Sequence, residues 1–442
     1  MVDMKRPLKI EDLVDVDNGV VDRAIFSDQE IYEMEMEQIF ARAWNFMCHE
    51  SQIPNTGDFF MNYIGEESVI ATRDKEGQLQ VLLNTCRHRG NAVCRAEQGH
   101  ASSFMCTYHG WTYNLQGKLV GVPGSRDLYH GELDRDNWGL IRAPHVESYK
   151  GFVFANMDPD APPLEEYLGE VGRIGLGMIA ERGDMEVIDG IQKYVIGCNW
   201  KLAVDNLFDY YHVQVSHGSA MMVDWIRPRK VEGKRQNPVA QPPHLIMLGE
   251  YGHAIGGPSY VEDRDGDDTF MDQSWRKRTE IIEALGPVGV TSNGHPNIFP
   301  NLWVEGMAGN QICLRLPKGP LKTEMWWFTL IDKTLPADEW ERQRRNAVHV
   351  FGPAGGLEQE DGENWDQSTR ATQGVIARRY PLNYSMGLGH GEVVKDNSGS
   401  GHIVGRGNEH AQMWTYRAWA DWMAAESWKD LKERHTPVPD IL

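Results

Sequence analysis

The sequence is poor in cysteine, in positive charge and in long apolar runs. Its 442 residues contain six cysteines, too few for a disulfide scaffold in a chain of this length. Lysine and arginine number 44 against 64 aspartates and glutamates, and the net charge of −20 argues against a nucleic-acid or anionic-membrane partner. No apolar run approaches the length that spans a bilayer, and the first residues lack the apolar core of a signal peptide. We therefore expect a cytoplasmic protein.

The chain changes character at two points, which predicts three parts. Short apolar runs broken by turns dominate residues 43–160, and they predict β-strands at 59–63, 68–72 and 79–83. This β-rich domain ends in the proline-rich turn at 158–163, which we interpret as a domain boundary. Residues 1–42 and 161–442 then form the rest of the protein, with strands and helices mixed. Residues 227–262 are rich in proline, glycine and histidine without periodicity, which predicts a long loop.

One polar segment, residues 205–217, combines carboxylates with imidazoles. If Asn199 caps a helix that continues through the segment, Asp205, Asp209 and His212 lie on one face, and the helix ends or bulges near His217. Two imidazoles and one carboxylate around open positions are what a non-haem Fe(II) site for O2 requires. An amphipathic helix with polar residues at its end is the alternative.

A second candidate metal site lies in the β-rich domain. Cys86-x-His88 and Cys106-x2-His109 each supply one thiolate and one imidazole from a loop, which fits a [2Fe–2S] cluster with two histidines on its outer iron. Gly90 and Gly110 allow the tight turns that such loops need. The alternative is a structural Cys2His2 zinc site, although zinc fingers usually take both cysteines from one element. The remaining cysteines lie in neither of these two motifs, and we expect them in the core: Cys48, Cys94, Cys198 and Cys313.

Taken together, these motifs resemble those of one family, the large (alpha) subunits of Rieske non-haem iron aromatic ring-hydroxylating dioxygenases. The resemblance extends over nearly the whole chain and rests on CRHRG, CTYHGW, NWK with DNLFDYYHVQVSH, HPNIFP from His295 and FGPAGGLEQED from Phe351. It implies an α+β fold, in which a small all-β Rieske [2Fe–2S] domain is inserted into a catalytic domain. That catalytic domain would have an antiparallel sheet covered by helices. Residues 1–42 would then be its N-terminal segment, and 161–442 would carry a mononuclear iron.

The resemblance also implies roles for single residues. Cys86, His88, Cys106 and His109 would bind the cluster. His212 and His217 would bind the mononuclear iron, together with an aspartate from the acidic segment after the Gly-Pro-Ala-Gly turn. Spacing does not choose among the acidic residues there, and the family pattern selects Asp361; a solvated acidic helix is the alternative for each of the candidates Glu358, Glu360, Asp361, Glu363 and Asp366.

Two further groups of residues follow from the same resemblance. Asp209 corresponds to a bridging aspartate between an iron-binding histidine and a Rieske histidine of the neighbouring subunit. Asp205 stands where the family has glutamate. The substrate pocket would be lined by Asn206, Leu207, Val213, His295, Asn297, Phe351 and Leu357, and Leu357 replaces a bulky aromatic residue of some relatives.

The function implied is cis-dihydroxylation of an aromatic ring with O2, as in the catabolism of aromatic hydrocarbons. Electrons would come from NADH through a reductase, with or without a ferredoxin, to one Rieske cluster and one mononuclear Fe(II). A small beta subunit is implied as a partner, in an assembly of three alpha and three beta chains. A monooxygenase or demethylase with the same centres stays open, as does the substrate, either an aromatic hydrocarbon or a substituted aromatic acid. An electron carrier with the cluster alone would not need a second set of ligands.

Overall fold

The computed structural model describes residues 9–223, 243–260, 273–306, 309–395 and 401–434. The chain divides into two compact units. The first comprises residues 1–39 and 165–442, and the second comprises residues 40–164. The second unit is therefore an insertion in the sequence of the first.

Strands occur in both units. In chain order they are β1 Val14–Asp15, β2 Val20–Val21, β3 Asn45–His49, β4 Asp58–Ile64, β5 Glu67–Arg73, β6 Leu79–Leu83, β7 Gln98–His100, β8 Ser103–Met105, β9 Thr112–Asn114, β10 Leu119–Gly121, β11 His145–Tyr149, β12 Phe152–Asn156, β13 Met185–Val187, β14 Gln192–Ile196, β15 His244–Leu248, β16 Ala254–Pro258, β17 His295–Ile298, β18 Leu302–Glu305, β19 Gln311–Pro317, β20 Thr323–Asp332, β21 Leu382–Asn383, β22 Glu392–Lys395 and β23 Gly401–Gly405.

The α-helices of the described ranges lie in the first unit, which is discontinuous in sequence, except that α2 begins at the last residue of the inserted unit. They are α1 Gln29–Glu35, α2 Leu164–Ala180, α3 Trp200–Asp205, α4 Val213–Ser216, α5 Gly218–Met222, α6 Thr279–Thr291, α7 Ala337–Val350, α8 Glu358–Thr372, α9 His410–Ala424 and α10 Trp428–Arg434. No helix in the described ranges is both long and apolar enough to cross a membrane.

The inserted unit is all-β, with three antiparallel sheets ordered β6-β5-β4-β7, β10-β9-β8 and β11-β12-β3. Strands β4, β5 and β6 confirm the three predicted from apolar runs. The turn between β5 and β6 closes through the Gly77 N–H, which donates to the Asp74 carbonyl over 3.0 Å. Gly77 has a φ of +78°, a conformation that glycine adopts without the steric cost of a Cβ.

The other unit is built on a ten-stranded antiparallel sheet with the path β13-β20-β19-β18-β17-β16-β15-β23-β22, where β14 also pairs with β20. Every residue of β17, β18 and β19 is buried, so this part of the sheet is covered on both faces. Helix α3 contacts β19, and α9 contacts β15 and β16. The predicted α+β fold, with an all-β insertion and an antiparallel sheet covered by helices, is confirmed.

The predicted loop at 227–262 is wrong where the structure describes it. Residues 244–248 and 254–258 form the antiparallel hairpin β15–β16. The sequence conceals the second strand because it contains Gly256, Gly257 and Pro258, which all disfavour strands. Gly257 is required because a Cβ there would lie 2.4 Å from the Tyr210 ring. The rest of that prediction, residues 227–242 and 261–262, lies outside the described residues.

Candidate metal centres

In the inserted unit, the loops with Cys86-x-His88 and Cys106-x2-His109, the cluster loops, adopt the same turn. The Gly90 N–H donates to the Cys86 carbonyl over 2.8 Å, and the Gly110 N–H donates to the Cys106 carbonyl over 2.9 Å. Both glycines have positive φ, +74° and +73°, which an L side chain rarely adopts. A Cβ on Gly110 would also lie 2.8 Å from Pro123. The glycine that ends each motif is therefore needed for the turn that presents its ligands.

These turns bring the four predicted cluster ligands together. The rings of His88 and His109 lie 4.5 Å apart between centroids, and His88 stacks on Trp111 at 5.0 Å with an interplanar angle of 9°. Both thiols are buried, whereas the imidazoles are partly exposed. The thiolates therefore lie inside and the histidines towards the surface.

Hydrogen-bonding groups surround the two sulfur atoms, and at Cys106 they favour the thiolate. The Cys86 Sγ lies 3.3 Å from the Tyr113 hydroxyl, and Asn91 donates its amide to the Cys106 Sγ over 3.6 Å. Burial raises the pKa of the Cys106 thiol, but hydrogen bonds from the Tyr108 N–H and from Asn91 outweigh burial and lower this pKa below its ordinary value. Such donors also tune the potential of an iron–sulfur cluster.

The donor set fits a Rieske [2Fe–2S] cluster. Two inward thiols and two outward imidazoles match its two kinds of iron site. The buried Nδ1 of His88 has no hydrogen-bond partner within the described ranges, as expected of a nitrogen kept for a metal.

In the discontinuous unit, the polar segment from residue 199 is not one helix. Asn199 caps α3 as predicted, accepting from the Lys201 N–H over 3.1 Å, but α3 ends at Asp205. A 3₁₀ turn over Asn206–Phe208 follows, and Asp209 has non-helical angles. The prediction that Asp205, Asp209 and His212 share one helical face is therefore wrong. The Asp209 side chain accepts from the His212 N–H over 3.2 Å, a local bond that competes with helix continuation.

The three predicted ligands of the mononuclear iron converge despite this break. The Nε2 atoms of His212 and His217 lie 3.3 Å apart, and the Asp361 Oδ1 lies 3.3 Å from the first and 3.4 Å from the second. His217 and Asp361 are buried, and His212 is partly buried. Two imidazole nitrogens and one carboxylate oxygen directed at one point fit a non-haem Fe(II) ion with positions left for other ligands.

The acidic segment contributes a carboxylate that contacts His217, in addition to the predicted ligand Asp361. Asp361 lies in the first turn of α8, and one residue earlier Glu360 accepts from the His217 Nδ1 over 2.8 Å. Glu360 also accepts from the Ser219 hydroxyl. A carboxylate on the far nitrogen fixes the tautomer and ring orientation of a metal-binding histidine. Sequence reasoning missed this role, because it considered Glu360 only as a possible metal ligand.

Asp209 lies beside the Nδ1 of His212, as Glu360 lies beside the Nδ1 of His217. Its Oδ1 lies 3.5 Å from the His212 Nδ1. Burial lowers the pKa of His212, but the carboxylates of Asp209 and Asp361 outweigh burial and raise this pKa to about 10. The same negative potential favours a cation among the three ligand atoms, where a metal ion would displace the proton.

A cavity of about 560 Å³ opens beside this cluster, and its wall includes Asp205, Asn206, Asp209 and His212. The Asp205 carboxylate accepts from the Tyr384 hydroxyl over 2.7 Å and from the Tyr416 hydroxyl. Burial raises the pKa of Asp205 to about 7, and these two hydrogen bonds offset only part of the shift. The sequence contained no signal for the tyrosine pair, because its members lie 179 and 211 residues from Asp205.

The other residues assigned to a substrate pocket lie in or next to one aromatic cluster on the sheet. Leu207 and Phe351 belong to this cluster, and Leu357 packs against it. The Phe351 ring stacks on Trp327 at 4.8 Å and lies 4.9 Å from Trp303 in an edge contact.

Two polar members of the predicted pocket, His295 and Asn297, are buried in β17, and the His295 ring lies 4.8 Å from Trp303. Val213 begins α4, next to His212 in sequence. Asn206 therefore lies on the wall of the cavity, whereas Leu207, Phe351 and Leu357 lie at the aromatic surface of the sheet.

Comparison with known proteins agrees with both donor sets. Residues 43–145 match the family model described as Rieske [2Fe-2S] domain, and residues 184–425 match ring hydroxylating alpha subunit (catalytic domain). The chain is 37% identical to the biphenyl 2,3-dioxygenase subunit alpha of Rhodococcus jostii, over 98% of this chain and 95% of the relative. It is 34% identical to a benzene 1,2-dioxygenase subunit alpha of Pseudomonas putida, over 96% and 95%.

Solved structures give the same result for the fold. A naphthalene 1,2-dioxygenase from Rhodococcus sp., bound to indole, superposes with a TM-score of 0.82 at 34% identity, covering 95% of this chain and 97% of that one. A quaternary ammonium Rieske monooxygenase bound to gamma-butyrobetaine superposes with a TM-score of 0.65 at 18% identity, over 95% and 99%. The second likeness shows a shared fold alone.

Proposed function

Because the chain belongs to the family of ring-hydroxylating alpha subunits, we propose that it adds both atoms of O2 to neighbouring carbons of an aromatic ring, giving a cis-dihydrodiol. The observation that carries the proposal is the convergence of His212, His217 and Asp361 in a chain that also holds the two cluster loops. An electron carrier needs the loops alone.

Different residues of this chain would bind the two metal centres, orient the iron ligands and contact the substrate. Cys86, His88, Cys106 and His109 would hold the Rieske cluster, and His212, His217 and Asp361 would hold the mononuclear iron. When bound, the cluster supplies single electrons and the iron supplies the reaction with O2. Glu360 keeps His217 oriented through its Nδ1, and the aromatic surface around Phe351 excludes water and offers ring faces to an aromatic substrate.

The relatives named subunit alpha support a multicomponent enzyme. We propose a small beta subunit as a partner, in an assembly of three alpha and three beta chains. We also propose that NADH electrons arrive through a reductase, with or without a ferredoxin. A head-to-tail contact between identical chains can close into a ring of three.

Asp209 is proposed to act between neighbouring chains of that ring. Its Oδ1 lies at 3.5 Å from the His212 Nδ1, and its side chain remains about one-fifth exposed at the cavity wall. A carboxylate in this position can orient His212 and accept a second hydrogen bond from His109 of the next chain. The alternative is an aspartate that only caps its own turn through the His212 N–H.

Oxygen-isotope labelling tests the reaction. The purified protein, supplied with electron-transfer partners and NADH, is given a panel of aromatic compounds under 18O2, and the products are analysed by mass spectrometry. We expect a cis-diol that carries both labelled atoms. A product with one labelled atom, or one that has lost an alkyl group, would instead identify a monooxygenase or demethylase, the alternative that the ligand set alone leaves open.

A further inference from the structure

A buried arginine on the sheet has no hydrogen-bond partner for its charge. Arg315, in β19, is 0% exposed, yet none of its three guanidinium nitrogens is hydrogen-bonded among the described residues. Leaving a buried charge without such partners is costly, and buried arginines are normally paired. The guanidinium without hydrogen-bond partners therefore indicates a binding site, at which a ligand would supply the missing acceptor.

Arg315 points towards the aromatic surface of the proposed pocket. Residues two apart in a strand share a face, so Arg315 lies on the same side of β19 as Cys313, which pairs with Trp303 across the sheet. The Arg315 guanidinium lies 4.7 Å from the Trp303 ring centroid. Trp303 in turn contacts His295 and Phe351, both assigned to the substrate pocket.

Other polar atoms without partners lie on this face. Asn297 pairs with Trp303 across the sheet, and neither its amide oxygen nor its amide nitrogen has a hydrogen-bond partner in the described part of the chain. Asn297 is 0% exposed. A surface made for an unsubstituted hydrocarbon would gain nothing from these groups, whereas a substrate with an oxygen-bearing substituent would satisfy them.

Glu358 is a buried acidic residue whose pKa is affected by the charge of Arg315. Burial raises the pKa of Glu358 to about 7, although the positive charge of Arg315 lowers it. Neither carboxylate oxygen of Glu358 is hydrogen-bonded to the guanidinium, because both oxygens lack a hydrogen-bond partner in the described part of the chain. Glu358 therefore does not supply the missing partner of Arg315.

We infer that Arg315 binds an anionic substituent, a carboxylate, on the aromatic substrate, and so sets the enzyme's specificity for aromatic acids. The inference rests on the proposed function for its site. A guanidinium binds a carboxylate through two parallel N–H donors, and Trp303, Trp327 and Phe351 offer ring faces to the attached aromatic system. Arg315 would be a positioning residue, since it holds the substituent while the ring reacts elsewhere.

The test compares ligands that share one ring system. Binding of 2-naphthoate, its neutral amide 2-naphthamide and naphthalene to the iron-loaded protein is followed by calorimetry and by tryptophan fluorescence, without turnover. We expect wild-type protein to bind 2-naphthoate at least about tenfold more tightly than either neutral compound.

Substitution of the arginine provides the second arm. Arg315→Met should remove the preference for 2-naphthoate while leaving naphthalene binding unchanged or tighter, because methionine fills much of the same space without charge. Arg315→Lys should retain part of the preference, since it keeps the charge but loses the paired donors. Arg345→Met is the matched control, because Arg345 has an exposed side chain in α7 and should not affect binding.

Failure of this inference can be distinguished from failure of the proposed oxygenase function. Equal binding of the three compounds by wild-type protein overturns the inference, and so does undiminished 2-naphthoate binding by Arg315→Met. In that event Arg315 is a structural residue held over Trp303. If Arg315→Met does not fold, the ligand comparison in wild-type protein and Arg315→Lys decides. Failure of the oxygenase function would appear instead as absent iron or absent product, whatever the binding preference.

Discussion

The two metal centres are assembled over different distances in the sequence. In the inserted unit, Asn91 and the Cys106 sulfur that it contacts are 15 residues apart, and each loop is closed by its own backbone hydrogen bonds. At the mononuclear site, His217 and its orienting carboxylate Glu360 are 143 residues apart. The cluster loops thus depend on local turns, whereas the triad depends on the packing of α8 against the 206–217 segment. Substitutions at the two centres should therefore have separable effects.

The largest effect should come from Cys106→Ala. The remaining ligands cannot complete the cluster site, so we expect loss of the visible absorption and of acid-labile sulfide, with no measurable turnover. Absorption spectroscopy with sulfide analysis gives the answer. Cys94→Ala is the control, because Cys94 is also buried in this unit but belongs to neither loop. Retention of the cluster by the Cys106 variant would show that the sulfur is not a ligand.

Asp361→Ala tests whether the mononuclear iron can be lost while the cluster remains. Without its one carboxylate the triad cannot hold iron, so we expect loss of the mononuclear iron and of turnover, with an intact cluster spectrum. Metal analysis and absorption spectroscopy measure the two separately. Glu363→Ala should leave both unchanged, since Glu363 is an exposed residue of the same helix. Full iron occupancy in the Asp361 variant would point to another acidic residue as the third ligand.

Asp209→Asn should leave both metals bound but slow electron transfer from the cluster to the mononuclear site. We expect both metal centres and the oligomer to persist, while turnover falls at least about 100-fold, because an amide cannot orient His212 as a carboxylate does. Rapid mixing should show fast reduction of the cluster and slow reoxidation in the presence of substrate and O2. Turnover near the wild-type rate would exclude the bridging role, and an active monomer would exclude any route between chains.

Glu360→Gln should have a smaller effect at the same site. Loss of the charged partner of the His217 Nδ1 should weaken iron binding by about tenfold, a typical cost of removing a group that orients a metal ligand. Titration of the iron-depleted protein with Fe(II) measures the affinity, and Glu363→Gln is the control. An unchanged affinity would show that packing alone orients His217.

The smallest effect concerns stability near the cavity. The pKa of Asp205 is raised to about 7, so the native state holds this proton at pH values where the unfolded chain has released it. Stability is then highest below the ordinary aspartate pKa and is lost as pH rises towards 7. Asp205→Asn should remove this loss and be more stable at pH 8 by about 2 kcal/mol, roughly half the full linkage value because cavity water screens the charge.

Thermal unfolding of wild type and the Asp205 variant between pH 5 and 8 measures this difference. The two melting temperatures should diverge with rising pH. Parallel curves would mean that Asp205 titrates normally, with its hydrogen bonds from Tyr384 and Tyr416 offsetting burial completely.

The sequence predicted the local features of both centres and missed those that depend on distant contacts. The Cys-x-His turns are local, and the glycine that ends each loop could be interpreted from spacing alone. The predicted continuous helix through 205–217 was wrong, because the Asp209 side chain accepts from the His212 N–H and the partly buried Asp205 accepts from tyrosines far along the chain. Periodicity carries no information on either contact.

Among the residues proposed to contact the substrate, those that depend on contacts between strands were also missed by the sequence. His295 and Phe351 could be proposed from a family pattern, but Arg315 could not, because its sequence context is an ordinary buried strand. Only the pairing of β18 with β19 shows that its guanidinium lies over Trp303 on the pocket face.

The central claim, that one chain holds two separate iron centres, is tested most directly by metal and sulfide analysis. The protein is purified without oxygen, supplied with Fe(II), freed of excess metal and assayed for iron, zinc and acid-labile sulfide per chain. A [2Fe–2S] cluster plus one mononuclear ion predicts iron and sulfide in a ratio of about three to two, without stoichiometric zinc. A colourless protein with zinc and no sulfide would contradict the cluster, and a ratio of about one to one would contradict the second iron.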